Sequence, residues 1–175
     1  MRQKPMPTGT SQSSPAPASY RRIDSLADSL AAIQDVLGTA VHNIRIFDIS
    51  LEEYGFNTPA RVEQLSRFLQ QGRNRRVEII LHQTDFLERQ APRFCSLLRT
   101  YSHSIEIRKT THAAQNAMDA FVVADDHSYW HRMHTDHARA VAAINDAQGA
   151  RSLLLRFAEL TEASESGITA TTLGL

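Results

Sequence analysis

The sequence predicts a single α/β domain in which a mixed, mostly parallel sheet carries helices on both faces. Two observations lead to this fold class. Amphipathic helical stretches alternate with short apolar strands as far as residue 108, an order typical of parallel strands joined by crossover helices. Two further strands then follow each other directly, separated by a turn, and add antiparallel pairing to the sheet.

Helices and strands alternate three times in the first part of this domain. Each helix has apolar residues at spacings of three and four, and each strand is a short apolar run. Asp24 or Ser25 can cap the first helix. Thr58 followed by Pro59 begins the second helix, and Pro92 breaks or restarts the third. The predicted elements, in chain order, span residues 23–38, 44–49, 58–71, 77–81, 85–101 and 104–108.

The second part of the chain predicts a hairpin and a final helix. An apolar run at residues 120–124 ends at Asp125 and Asp126, which are typical turn residues, and residues 128–133 pair back on it. A final amphipathic helix spans residues 146–165. The stretch between the hairpin and this helix is assigned no element.

Length and composition indicate one domain with a tail at each end. A chain of 175 residues, 42% apolar and 22% charged, is long enough for one core. Residues 1–20 are rich in proline and serine and bury too little to fold, which predicts a disordered tail or linker. We assign the α/β domain to residues 21–166 and a C-terminal tail to residues 167–175.

Charge and cysteine content narrow the classes of function. Nineteen basic residues balance nineteen acidic ones, so no global field attracts nucleic acid, and we predict that nucleic acid is not a partner. Cys95 is the single cysteine, which excludes an intramolecular disulfide and favours a reducing compartment. No apolar run approaches the roughly 18 residues of a membrane span, and no signal peptide is visible. We expect a cytoplasmic protein without a cofactor.

The order of predicted elements resembles one repeat of the phospholipase D-like superfamily. The resemblance covers residues 23–165. It rests on the segments AVHNIRIFDISL, RNRRVEIIL, SIEIRKT, FVVADDHSYWHR and NDAQGARSLLLRFAELTEAS. It implies a sheet with the active site at one edge. In active members of the superfamily, two copies of the motif form one active site, and they come from two repeats of one chain or from the two subunits of a dimer. A homodimer is therefore an arrangement that the resemblance implies, although no interface can be identified in the sequence.

The family motif H-x-K-x-x-x-x-D is incomplete in this sequence. When Asp125 is matched to the motif aspartate, Met118 stands at the nucleophilic histidine and Ala120 at the phosphate-binding lysine. A thioether cannot attack phosphorus, and a methyl group cannot hold the developing negative charge. The resemblance therefore implies a pseudoenzyme with no catalytic residue of the family type.

The most unusual segment, DDHSYWHRMHTDH at residues 125–137, contains four of the eight histidines. If residues 128–133 form a strand, alternation sends His131 and Arg132 to opposite faces. The segment is either a polar pocket at the strand ends or a solvated loop with histidines at its surface. Its spacing matches no zinc motif, and we assign no metal. The candidate pocket residues are Asp119, Asp125, His131, Arg132, His134, Asp136 and His137.

A second candidate site is the run of Arg73, Arg75 and Arg76, which could contact phosphate or lie in a solvated loop. The sequence thus leaves three functions open. We favour a non-catalytic domain that binds a ligand or another protein. The alternatives are a hydrolase or transferase of different chemistry that uses residues 125–137, and a phosphate-binding or nucleic-acid-binding protein.

Overall fold

A computed structural model describes residues 17–168. Most of the predicted N-terminal tail, residues 1–16, and residues 169–175 lie outside the described part. The helices are α1 (Leu26–Gly38), α2 (Pro59–Gln70), α3 (Asp85–Gln90), α4 (Pro92–Thr100) and α5 (Ala147–Glu162). The strands are β1 (Ser19–Ile23), β2 (Asn43–Asp48), β3 (Arg76–Leu81), β4 (Ile105–Thr110), β5 (Ala120–Ala124), β6 (Ser128–Arg132), β7 (Ala140–Ile144) and β8 (Ser164–Ser166).

All eight described strands form one sheet in the order β1-β7-β6-β5-β2-β3-β4-β8. The α/β class with helices on both faces is confirmed, but the prediction of a mostly parallel sheet is wrong. Only the pairs β2-β3 and β3-β4 are parallel, and the other pairs are antiparallel. The reason is that the crossover helices α2, α3 and α4 serve those two connections alone, whereas β5, β6 and β7 follow one another as a meander.

Three strands that the sequence did not predict add three antiparallel pairs to the sheet. The strand β1 (SYRRI) lies partly in the predicted tail and partly in the predicted first helix. The strand β7 (AVAAI) occupies the stretch to which no element was assigned, and β8 (SES) follows α5 where a helix end was predicted. Each pairs antiparallel with a neighbour at or near a sheet edge, so long-range pairing overrides the local propensity.

The other predicted elements are present, and their caps follow the expected chemistry. The Ser25 side chain accepts a hydrogen bond from the Asp28 N–H at 3.1 Å, and Thr58 caps α2 with Pro59 in its first turn. At α5, the Asp146 carboxylate accepts a hydrogen bond from the Gly149 N–H at 3.1 Å. The polar residues that precede these apolar runs therefore fix where the helices begin.

The sheet separates two apolar clusters of different size. The helices α1 to α4 pack on one face, where Trp130 contacts Tyr54 with ring centroids 4.7 Å apart. The helix α5 alone covers part of the other face, where Phe157 packs against Phe121. Strand alternation therefore decides which layer a side chain enters. Within residues 17–168, no helix has both the length and the apolar character needed to cross a membrane.

The start of α5 requires a glycine at position 149. A Cβ atom there would overlap the Tyr129 hydroxyl and the Asp146 carboxylate, which hydrogen-bond to each other at 2.9 Å. At Gly38, the last residue of α1, a Cβ atom would meet no atom within 4 Å.

We predict that Gly149→Ala destabilises the protein by about 1–3 kcal/mol, because relieving the overlap breaks the bond between Tyr129 and the cap. The matched control Gly38→Ala should leave stability unchanged or slightly raised, since alanine favours helix. Urea unfolding followed by circular dichroism measures both. Equal stability of the two variants would contradict this assignment of the α5 start.

Candidate functional site

The central strand β2 lies where the sheet changes from parallel to antiparallel pairing. It pairs parallel with β3 on one side and antiparallel with β5 on the other. Ligands of open α/β sheets commonly bind outside the carboxyl ends of the strands at such a reversal of strand order. Asp48 ends β2 at this edge, and His82 directly follows β3.

His82 is buried and holds the segment that leads into β5. Its Nε2 lies 2.6 Å from the Ala117 carbonyl oxygen, and its Nδ1 lies 2.6 Å from the Thr110 hydroxyl. A carbonyl oxygen only accepts, so Nε2 donates, and in the neutral ring Nδ1 accepts from Thr110. Because both nitrogens are used, His82 is a structural support for this edge and has no free nitrogen for proton transfer.

Asp48 lies beside a cavity of about 410 Å³ at the end of β2. The carboxylate is almost fully buried, and its Oδ2 accepts a hydrogen bond from the Leu51 N–H at 2.8 Å. Burial raises the pKa of Asp48, and the nearby charge of Glu53 raises it further, against the backbone hydrogen bonds that lower it. The cavity is lined by Asp48, Ile49, Ser50, Glu52, Glu53 and Thr135.

Arg132 closes the base of the loop that follows β6. Its guanidinium donates to the Glu53 carboxylate at 2.6 Å and to the His137 carbonyl oxygen at 2.6 Å. It also donates to the Tyr54 hydroxyl and to the Thr135 carbonyl oxygen. With its donors used inside the protein, Arg132 fixes two loops and is not free to hold an anionic ligand.

Asp119 and His131 lie on the opposite face, beneath α5. The Asp119 carboxylate is 3.8 Å from His131 Nε2 and 3.3 Å from Arg156 Nη2. Burial alone would raise the pKa of Asp119, but its interactions with the neighbouring His131 and Arg156 side chains outweigh burial and lower the pKa. The cluster joins β5, β6 and α5, and His131 and Arg132 point to opposite faces as strand alternation predicted.

Asp125 lies at the other end of the hairpin, far from this edge. It turns the chain with φ of 53°, and its carboxylate accepts hydrogen bonds from the N–H groups of Val41, His42 and Asn43 at 2.7, 2.8 and 2.8 Å. Burial raises its pKa less than these three bonds lower it, so the pKa falls below its usual value. Asp125 therefore fastens the β5-β6 turn to the loop between α1 and β2.

The remaining predicted pocket residues lie on the exposed loop after β6. His134 Nδ1 accepts a hydrogen bond from the Asp136 N–H at 3.2 Å, and the rings of His134 and His137 have centroids 6.0 Å apart. Thus the seven candidate residues do not converge on one pocket. They divide among the α5 face, the Arg132 network, this loop and the distal turn. Among residues 17–168, no group of three or more His, Cys, Asp or Glu side chains is arranged to hold a metal ion.

The arginine run before β3 is largely engaged with the protein itself. The Arg75 guanidinium lies 4.9 Å from the centre of the Phe68 ring, and Arg76 donates to the carbonyl oxygens of Arg73 and Arg75 at 3.1 Å each. Arg73 is exposed. The three side chains are therefore not presented together as a phosphate site.

Sequence reasoning missed the two residues that build the strand edge, Asp48 and His82. Each is a polar residue at or directly after the end of an apolar strand, and that position is the signal that could have identified them. Their burial and their partners depend on loops that are distant in sequence.

Residues 25–171 match the family described as a domain of unknown function, DUF7931. The chain belongs to the DUF7931 family. No curated protein matches the chain.

Solved structures with the fold of this DUF7931 chain include members of the phospholipase D family. Nuc of Salmonella typhimurium is 13% identical with a TM-score of 0.60, covering 87% of this chain and 100% of Nuc. NucT of Helicobacter pylori is 10% identical with a TM-score of 0.59, covering 86% of this chain and 100% of NucT. The DUF7931 fold is therefore similar to that of phospholipase D family members.

A third similar structure is TrmBL2, an archaeal chromatin protein described as showing a novel mode of DNA binding. It is 14% identical with a TM-score of 0.59, and the match covers 85% of this chain. The DUF7931 chain spans about half the length of TrmBL2, 54%. At these identities the likeness concerns the fold alone.

We predict that Asp125→Asn lowers the free energy of unfolding by about 1–3 kcal/mol at pH 7, because an amide cannot accept all three N–H bonds. A carboxylate with a lowered pKa contributes stability above its ordinary pKa of about 4, and this contribution disappears as the pH falls through the folded-state value. The difference between wild type and variant should therefore shrink in acid. Urea unfolding at several pH values measures it.

The matched control is Asp126→Asn, which removes the same charge from an exposed neighbour. It should change stability little at any pH. A difference between wild type and Asp125→Asn that stays constant down to strongly acidic pH would contradict the role of the ionised carboxylate.

Proposed function

We propose that this chain is a non-catalytic phospholipase D-like domain that binds a ligand at the carboxyl ends of β2 and β3. The observation that carries the proposal is the pair Met118 and Ala120, which stand at the positions of the family's histidine and lysine. Ala120 is completely buried in the apolar layer, and Met118 is partly exposed. Neither side chain supplies a nucleophile or a cation.

No neighbouring lysine replaces the missing one within the described residues. Lys109 belongs to β4, which is three strands away from β5 in the sheet, or about 14 Å at the usual strand spacing. His82 has both ring nitrogens engaged, and Arg132 is enclosed by acceptors on the other face. The chemical groups of phosphodiester cleavage are therefore not gathered at this edge.

The role of Asp125 supports the same proposal. Its three bonds to backbone N–H groups give it a structural task that is independent of the motif histidine and lysine. An aspartate at this position is therefore compatible with the loss of catalysis, because the fold still uses its carboxylate when the chemistry is gone.

A second candidate function is favoured by the pair Asp119 and His131. The Asp119 carboxylate lies 3.8 Å from Nε2 of the partly buried His131, and that nitrogen has no hydrogen-bond partner among the described residues, so a closer approach of the two groups could orient the imidazole as a general base. The pair would serve a hydrolase or transferase of different chemistry. Arg156 weakens this alternative because it already neutralises Asp119 at 3.3 Å.

We expect the purified protein to show no turnover of bis(p-nitrophenyl) phosphate, phosphatidylcholine or DNA above that of a His131→Ala variant, with an active phospholipase D as positive control. His103→Ala, at an exposed position, is the matched control for loss of a histidine. Turnover that survives in His103→Ala but disappears in His131→Ala would overturn the non-catalytic assignment and establish the second candidate.

Nucleic-acid binding is a further alternative, suggested by the fold similarity to TrmBL2. The net charge of zero and the engaged side chains of Arg75 and Arg76 argue against it. We expect fluorescence anisotropy to detect no binding of a short DNA duplex. Binding that weakens steeply with salt and is lost in an Arg73→Ala/Arg76→Ala double variant would favour this alternative instead.

A further inference from the structure

We propose that the cavity beside Asp48 binds an organic cation, a small molecule that carries a protonated amine or a guanidinium group. The inference rests on the proposed function, because it names the class of ligand that the strand edge takes. Three independent features support it: a buried carboxylate without a counter-charge, the charge of the cavity wall, and the position of the cavity in the sheet.

The first feature is the Asp48 carboxylate itself. Only 5% of the residue is exposed, yet within residues 17–168 no lysine, arginine or histidine forms an ion pair with it. Its hydrogen bonds come from backbone N–H groups of the following loop, from Leu51 at 2.8 Å and from Ile49 and Ser50, and not from a cationic side chain. Buried carboxylates are normally paired, because removing a charge from water is costly. A cation in the adjoining cavity would supply the missing partner.

The second feature is the balance of charge around the cavity. Of its three acidic residues, Glu53 is neutralised by Arg132 at 2.6 Å. Glu52 and Asp48 have no ion-pair partner in the described part of the chain, so the wall keeps an excess of negative charge. The side chains of Ser50 and Thr135 add hydroxyl groups to the lining. An ammonium or guanidinium group is a donor to all of these oxygens.

The size and spread of the carboxylates favour an organic cation over a bare metal ion. A volume of about 410 Å³ is typical of a small-molecule site. A metal ion needs several ligands at one point, and within residues 17–168 no three acidic side chains converge in that way. Carboxylates that are distributed along a wall suit a ligand with its positive charge on an extended skeleton.

The third feature is the position of the cavity. It opens at the carboxyl end of β2, where the parallel and antiparallel parts of the sheet meet. Leu51, which donates its N–H to Asp48, is buried and has φ of 67°, a conformation that is unfavourable for leucine. This backbone geometry orients Asp48 before any ligand arrives.

The test is a titration of the full chain, followed by nuclear magnetic resonance, with agmatine and putrescine as organic cations, Mg²⁺ as a metal and succinate as an anion. We expect both amines to shift the amide resonances of residues 49–53 and 135, and succinate and Mg²⁺ to leave them unchanged. Asp48→Asn keeps an acceptor for the Leu51 N–H but removes the charge, and should weaken amine binding by about tenfold or more. Asp126→Asn is the matched control and should bind as wild type does.

Two outcomes would overturn the inference: no amine-dependent shift at residues 49–53, or equal binding by wild type and Asp48→Asn. Saturable Mg²⁺ binding at these residues in place of the amines would overturn the organic class. If Asp48→Asn does not fold, Glu52→Gln replaces it as the test variant. Glu52 lies at the exposed rim, and Glu52→Gln should weaken amine binding, so equal binding by wild type and Glu52→Gln would then overturn the inference. Phosphodiesterase turnover would refute the proposed function without affecting amine binding, so the two failures are distinguishable.

Discussion

The antiparallel pairing of β2 with β5 is the contact on which the rest of the architecture depends. It joins the parallel unit β2-β3-β4 to the meander β5-β6-β7, and residues 44–47 face residues 121–124 across it. Asp125 fixes the end of this junction, because its carboxylate binds three consecutive N–H groups in the loop before β2. These bonds add to the strand pairing and to the packing of α1 against β5, β6, β7 and α2, which also hold the two parts of the sheet together.

The elements that the sequence predicted correctly are those whose signal is local. The Thr58-Pro59 pair marks the start of α2, Pro92 separates α3 from α4, and the run AFVVA coincides with β5. The strands β1, β7 and β8 could not be predicted in the same way, since the strand-favouring Tyr, Ile and Val of SYRRI and AVAAI are outnumbered by Ser, Arg and Ala, and SES contains none. They form because each is placed beside a strand with unpaired backbone groups. They supply three of the five antiparallel pairs, and the pairs β2-β5 and β5-β6 supply the other two.

The candidate site shows the same division between local and long-range information. Strand alternation predicted that His131 and Arg132 face opposite ways, and this alternation is the reason that the histidine-rich segment does not form one pocket. Which partner each side chain meets was not predictable. Asp119 pairs with Arg156 from α5, and Arg132 pairs with Glu53 from a loop 79 residues earlier. Proximity in sequence gave these residues the appearance of a cluster that the sheet then separates.

Two aspartates, Asp48 and Asp125, show how burial and hydrogen bonding act on the same group with opposite results. Asp125 has three N–H donors, which outweigh burial, lower its pKa and make the charged form part of the fold. Asp48 is more deeply buried, and its backbone hydrogen bonds do not outweigh burial and the charge of Glu53, so its pKa rises and its charge costs stability above the ordinary carboxyl pKa. Removing the Asp48 charge should therefore leave the unliganded protein at least as stable at pH 7, whereas removing that of Asp125 should not. The cationic ligand proposed for the adjoining cavity would pair with the Asp48 carboxylate and offset the cost of its burial.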